Sequence, residues 1–146
     1  MVAAFAHPGM TPRQKVEQEC ARRGKAAVVA RCVHLVQGGE IEADLLVTLG
    51  GPGARKFLDG GAHDDTYWLR VWGARGLLWA WDSSATEAIR AALADDAWRV
   101  REMAAKVVAR HLVDDALDGV AVLVDDPVPR VRAAATRALV RLTGSS

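Results

Sequence analysis

The stretch DDPVPRVRAAATRALVRL, Asp125 to Leu142, decides the fold. Val131, Ala134, Ala135, Ala138, Leu139 and Leu142 recur at the three-and-four spacing that puts them on one face of a helix, and arginines take the remaining faces. Pro129 stands in the first turn, where its missing N–H costs nothing. Two earlier segments repeat the pattern: DDAWRVREMAAKVVARH from Asp95 and DDTYWLRVWGARGLLWAW from Asp64. Anchored on Leu69, Val100 and Val131, they follow one another at a spacing of 31 residues. Basic residues keep the register, as Arg70, Arg101 and Arg132 and again as Arg75, Lys106 and Arg137. A helical pattern with a period in this range marks a solenoid of stacked helical hairpins.

Each long helix is preceded by a shorter apolar pattern: Gly51 to Leu58, Ser84 to Leu93, and Asp115 to Val124. Ser84 and Glu87 have the spacing of a capping box. The Asp-Asp pairs fall at the starts of the long helices, where carboxylates accept orphan N–H groups and favour the dipole. Upstream, Thr11, Pro12 and Gln14 open a helix to about Arg23. Lys25 to Val36 and Ile41 to Leu49 are helical as well, and no 31-residue register ties them to the later copies. The expected organisation is a flexible leader over 1–10, a helical cap or degenerate repeat over 11–50, and three repeats over 51–143 (about 51–81, 83–112 and 114–142).

The bulk properties agree with an all-α fold. Hydrophobic residues make up 51% of the 146 and charged ones 25%, the balance of an ordinary globular domain, and strand-type alternation is absent. A chain of this size buries roughly two thirds of its unfolded surface, so folding requires no metal or disulfide. Cys20 and Cys32 are too few for a disulfide framework and read as reduced thiols. No apolar run reaches the length of a membrane span, and the opening MVAAFAHPG lacks the basic region of a secretory signal. The expected address is the cytoplasm, with no membrane partner.

The pattern D-D-x-x-x-R-V-R-x-A-A-x-R-A-L at Asp125, with its echo DDAWRVREMAAKVV at Asp95, resembles the second helix of HEAT repeats of the short bacterial type. The resemblance covers about Gly51 to Leu142, and it is weaker in the first unit, where Gly73 and Gly76 replace Ala or Val. The whole chain also resembles small HEAT-repeat proteins of high-GC bacteria. It implies an armadillo-type α-solenoid that binds other macromolecules, and it implies no reaction. In such repeats the arginine column bonds aspartates of its own or the next unit, so Arg70, Arg101 and Arg132 are expected to form a structural ladder with Asp65, Asp96 and Asp126.

On a helical wheel, positions 69, 72, 73, 76, 77 and 80 form the core stripe, which assigns Trp72 to packing. Trp68 and Trp79 fall off it, in columns that hold Arg99 and Arg130, and Arg110 and Arg141. Trp68, Trp72, Arg75 and Trp79 make an aromatic strip. Beside it run Arg99, Met103, Lys106 and Arg110, then Arg130, Ala134, Arg137 and Arg141. The expected binding face is therefore Trp68, Arg75, Trp79, Arg99, Lys106, Arg110, Arg130, Arg137 and Arg141. Arginine with tryptophan suits a protein interface, and basic groups interleaved with aromatics also suit a phosphate backbone with stackable bases.

Catalytic signals are missing. GGPG at 50–53 follows a helical pattern, so it is no phosphate loop. Cys20, Cys32 and His34 lack the spacing of a zinc site, and His111 falls in a core column. Among HEAT-like solenoids, DNA glycosylases use tryptophans and an aspartate, a set that Trp79, Trp81 and Asp82 could imitate, although Asp82 is equally placed to start the next helix. The sequence thus reads as a non-catalytic scaffold without metal or cofactor, binding most plausibly a protein. The alternatives are a nucleic-acid-binding module and, less favoured, a glycosylase-like enzyme.

Overall fold

Capping sets where the first helix begins. The Thr11 hydroxyl accepts the Gln14 N–H at 3.1 Å, the Gln14 side chain accepts the Thr11 N–H at 2.9 Å, and Pro12 fills the first turn. The computed structural model describes residues 9–144, so most of the leader expected over 1–10 lies outside the described residues. Within them the chain forms α1 (Pro12–Arg23), α2 (Lys25–Val36), α3 (Ala43–Gly50), α4 (Tyr67–Trp79), α5 (Thr86–Ala92), α6 (Trp98–His111), α7 (Leu117–Leu123) and α8 (Pro129–Thr143). Short 3-10 stretches cover Pro52–Leu58, Ser83–Ala85 and Asp114–Ala116, and there is no strand among the described residues. The fold is an all-α helical repeat.

Two layers follow from the packing. α2, α4, α6 and α8 lie side by side, each against the next, while α1, α3, α5 and α7 pack on α2, α4, α6 and α8 respectively. The core between the layers contains Val28, Leu35, Leu45, Leu77, Ile89, Val100, Val107, Val108, Val120 and Val131, all fully buried. Each such side chain contributes about 1.5–3 kcal/mol relative to exposure. Trp72 is buried with them, as its wheel position requires, and its ring rests where a Cβ on Gly50 would come within 2.5 Å.

α2 occupies the stacking slot ahead of α4 although no sequence register links the two. Glycine makes the contact possible. A Cβ on Gly73 would lie 2.9 Å from the Cys32 carbonyl oxygen, and one on Gly76 would lie 2.5 Å from Cys32 Sγ. The later units carry Ala104 and Val107, or Ala135 and Ala138, at these positions. A helical glycine costs about 0.5–1 kcal/mol in backbone entropy, which the close α2–α4 contact offsets.

The inner helices bury more than the single stripe read from the wheel. Val71 and Ala74 of α4, and Glu102, Ala105 and Ala109 of α6, are buried as a second stripe. A helix in the middle of a layer touches its hairpin partner and both neighbours, so two faces are covered. On α8 the equivalent residues, Ala133, Thr136 and Val140, are exposed.

An arginine–aspartate ladder ties the units together. Arg70 holds Asp95 through Nε (2.8 Å) and Nη2 (3.1 Å), and Arg101 holds Asp126 through the same atoms at 2.8 and 3.2 Å. Asp95 also accepts the Ala97 N–H at 2.8 Å, and Asp126 the Val128 N–H at 2.9 Å. Nη1 of Arg101 reaches the carbonyls of Asp95 and Asp96, and Nη1 of Arg132 those of Asp126 and Pro127. This corrects the expected partners. Asp96 contributes only its carbonyl oxygen, and the Asp65 carboxylate pairs with Lys56. The cause is register: stepping back 31 residues from Asp126 reaches Asp95, the first of its pair, so choosing the second aspartate each time shifts the ladder by one residue.

Candidate functional site

The nine residues expected on one binding face divide into three groups. Five of them, Trp79 at the end of α4, Lys106 and Arg110 on α6, and Arg137 and Arg141 on α8, line a single groove of about 330 Å³. Leu78, Ala109 and Ala134 supply its apolar lining. The groove runs where Leu78, half-buried, and its equivalent Ala109, buried, line the boundary between neighbouring helices while the cations project at its sides.

Trp79 is the groove's aromatic wall. The Arg110 guanidinium lies 4.5 Å from its ring centroid and that of Arg13, from α1, 5.5 Å. Contacts of this kind contribute about 0.5–1 kcal/mol each where exposed. The indole Nε1–H is buried with no acceptor among the described residues, an unmet donor that costs about 1–3 kcal/mol. Arg141 spends Nε on the Ala109 carbonyl at 2.7 Å, and its terminal nitrogens remain for a ligand. Arg137 is exposed and makes no ion pair among the described residues.

Glu102 was not foreseen, and it limits the basic character of the face. Its carboxylate, 7% exposed, accepts Arg130 Nε at 3.0 Å and lies 3.6 Å from Lys106 Nζ. It occupies the column of Val71 and Ala133, and a charged residue in that apolar column is the signal that could have revealed it. Two of the six cations that α6 and α8 were expected to give this face are thereby partly neutralised.

The second group closes on itself. Arg99 stands 4.4 Å from the Trp98 ring, 5.2 Å from Trp68 and 5.9 Å from Tyr67, while Arg130 lies 5.2 Å from Trp98. Trp68 in turn stacks toward Trp72 at 6.3 Å. These aromatics extend the core outward and hold Arg99 between them. Arg75 forms the third group alone: its guanidinium donates to the Leu49 carbonyl at the end of α3, and burial lowers its pKa. It leaves the line of Lys106 and Arg137 because α3 offers it an unpaired helix-end carbonyl.

The set that could imitate a glycosylase does not converge. Asp82 accepts both the N–H and the hydroxyl of Ser84, at the start of the Ser83–Ala85 turn, so Asp82 caps this segment in place of the expected Ser84. Trp81 lies outside the groove and stacks on His111, with centroids 4.9 Å apart. The His111 Nε2–H donates to the Leu77 carbonyl at 2.8 Å, and burial lowers its pKa. Cys32 is fully buried, and burial pushes its thiol up to about 12, far from a metal-ready thiolate. Among the described residues no three His, Cys, Asp or Glu side chains gather as a metal site, and no helix is long and apolar enough to cross a membrane.

Comparison with known proteins places part of the chain. Residues 116–145, which hold α7 and α8, match the HEAT repeat family. No curated protein and no solved structure matches the chain. The match and the repeated hairpins together describe a helical repeat of the kind that generally serves as a binding scaffold and not as a catalyst.

Proposed function

We propose that this chain is a non-catalytic HEAT-type scaffold that binds an acidic segment of a protein partner in the groove between Trp79 and Arg141. The observation that carries the reading is the groove itself: an indole wall, an apolar floor, and guanidinium groups whose terminal nitrogens are not taken up by the fold. A segment that sets one or two carboxylates against Arg110, Arg137 and Arg141, and an apolar side chain against the Trp79 ring, matches the cations and the apolar lining together. Charge-assisted bonds from arginine to carboxylate are the strong class, and arginine and tryptophan are the residues that dominate interface energetics.

Nucleic acid is the second reading, favoured by the guanidinium-flanked indole. It is weaker because Glu102 sits among the cations and the groove spans few phosphates. With about three phosphates neutralised, the slope of log affinity against log salt would be near −2 to −3, far short of a dedicated duplex binder.

The test is a titration of a labelled Glu/Asp-rich peptide, and of single- and double-stranded oligonucleotides, at about 50 and 200 mM salt. Wild type is compared with Arg110→Glu/Arg137→Glu, two exposed positions. Peptide binding that exceeds oligonucleotide binding and disappears in the variant, with helicity retained, supports the proposal. Oligonucleotide binding with a steep salt slope replaces it with the second reading, and no binding of either class to wild type overturns both.

A further inference from the structure

The α7–α8 end of the stack carries features that the groove does not use. Shifting by 31 residues translates what each unit shows its successor. Thr86, Ala91 and Ala109 border the spaces between units, and their equivalents are Leu117, Val122 and Val140. These three are among the large hydrophobics most exposed in the described residues, Val122 at 72%. Arg132 stands at the same end. It uses Nη1 on its own turn, as Arg101 does, but the Nε and Nη2 atoms with which Arg70 and Arg101 grip a carboxylate meet none among the described residues.

We infer that this end pairs with the same end of a second copy of the chain, about a two-fold axis parallel to α7 and α8. Charge decides both the occupant and the axis. Residues 114–126, around α7, carry five aspartates and no base, and helix α8 carries four arginines and no acid; of these, Asp125 and Arg132, both exposed at the α7–α8 turn, are the pair that neither the groove nor the ladder takes up. The face is therefore complementary to itself, as a two-fold interface requires. An axis perpendicular to the helices would set α8 on α8 and carry the partner's α7–α8 turn to the opposite end, leaving Arg132 without an acid to meet. An axis parallel to them sets α7 on the partner's α8 and brings the two turn ends together. Asp125, exposed beside Asp126, then faces Arg132 of the partner subunit and completes the ladder across the dimer. Val122 covers the small residues Ala133 and Thr136 on the opposite α8, and Val140 meets Leu117 toward the far end. The groove faces its own unit boundaries and stays open, so this pairing stands or falls independently of the proposed function.

Sedimentation equilibrium of the full chain up to about 200 µM, a range that detects even weak dimers, tests it. A dimer is expected, with Val122→Glu raising its dissociation constant at least about tenfold, the loss of roughly 1.4 kcal/mol or more. Asp125→Arg and Arg132→Asp are each expected to be monomeric alone and to dimerise when mixed in equal amounts, because only the mixed pair restores both opposite-charge contacts. Thermal melts establish that each variant is folded. Since the Val122 and Asp125 side chains hold nothing in the fold, those two variants keep the test valid if Arg132→Asp is unstable. A wild type that stays monomeric overturns the inference, as does a dimer that is indifferent to Val122→Glu and Asp125→Arg.

Discussion

Asp95 and Asp96 are adjacent, identical in chemistry and unequal in the stack, so replacing each by alanine separates ladder from surface. Asp95 accepts two bonds from Arg70 and one from the Ala97 N–H; the Asp96 carboxylate makes no such bond. Asp95→Ala removes a cap, worth about 1 kcal/mol, and an ion pair of intermediate exposure, with side chains 27% and 14% accessible. Exposed pairs contribute about 0–1 kcal/mol and breaking a buried pair costs about 3–5; solvent reaching Arg70 places this one near 1–2. The total is about 2–3 kcal/mol, a melting shift of roughly 5–10 °C for a chain of this size. Asp96→Ala should stay within about 0.5 kcal/mol, as surface substitutions do. Urea and thermal melts followed by helical circular dichroism measure both. Equal losses, or a larger loss for Asp96→Ala, would refute the assigned register.

Three further outcomes are expected. Gly73→Ala should destabilise by about 1–3 kcal/mol through overpacking against the Cys32 carbonyl, although the same change in an open helix stabilises; a melt that rises would contradict the glycine contact. A thiol reagent at about pH 8 should label Cys20 in the folded chain and Cys32 only on unfolding, since Cys32 is fully buried with its pKa pushed up to about 12; two fast thiols would refute this. For Asp126, burial raises the pKa but the Arg101 and Val128 hydrogen bonds and the nearby arginines outweigh it, leaving the folded value below 3.8. Its contribution is then full above 3.8 and is lost as pH falls through the folded value, so the stability gap between wild type and Asp126→Asn should be constant near neutrality and shrink only in acid.

The repeat from α5 to α8 was legible because hydrophobic period, arginine register and turn aspartates all coincide there. What escaped the sequence depends on neighbours that a one-helix wheel does not include. The α2–α4 contact is written in glycines, whose information is the absence of a side chain. The second buried stripe, and Glu102 within it, appear only once a helix is flanked on both sides. Arg75 leaves its column for a carbonyl of α3, and Arg13 reaches Trp79 from a helix that shares no register with it. The candidate face was half legible: alternation along α6 and α8 located the groove cations, while the fate of Trp68 and Arg99 rested on Trp98 and Tyr67 at the adjoining helix starts.

The central claim is that Trp79, and not the Trp68 cluster, meets the partner. Intrinsic tryptophan fluorescence during titration with an acidic peptide measures this directly, using Trp79→Phe and Trp68→Phe beside wild type. The account predicts a saturable change in wild type and in Trp68→Phe that is lost in Trp79→Phe. A change that survives in Trp79→Phe and vanishes in Trp68→Phe would contradict it and move the site to the cluster around Arg99.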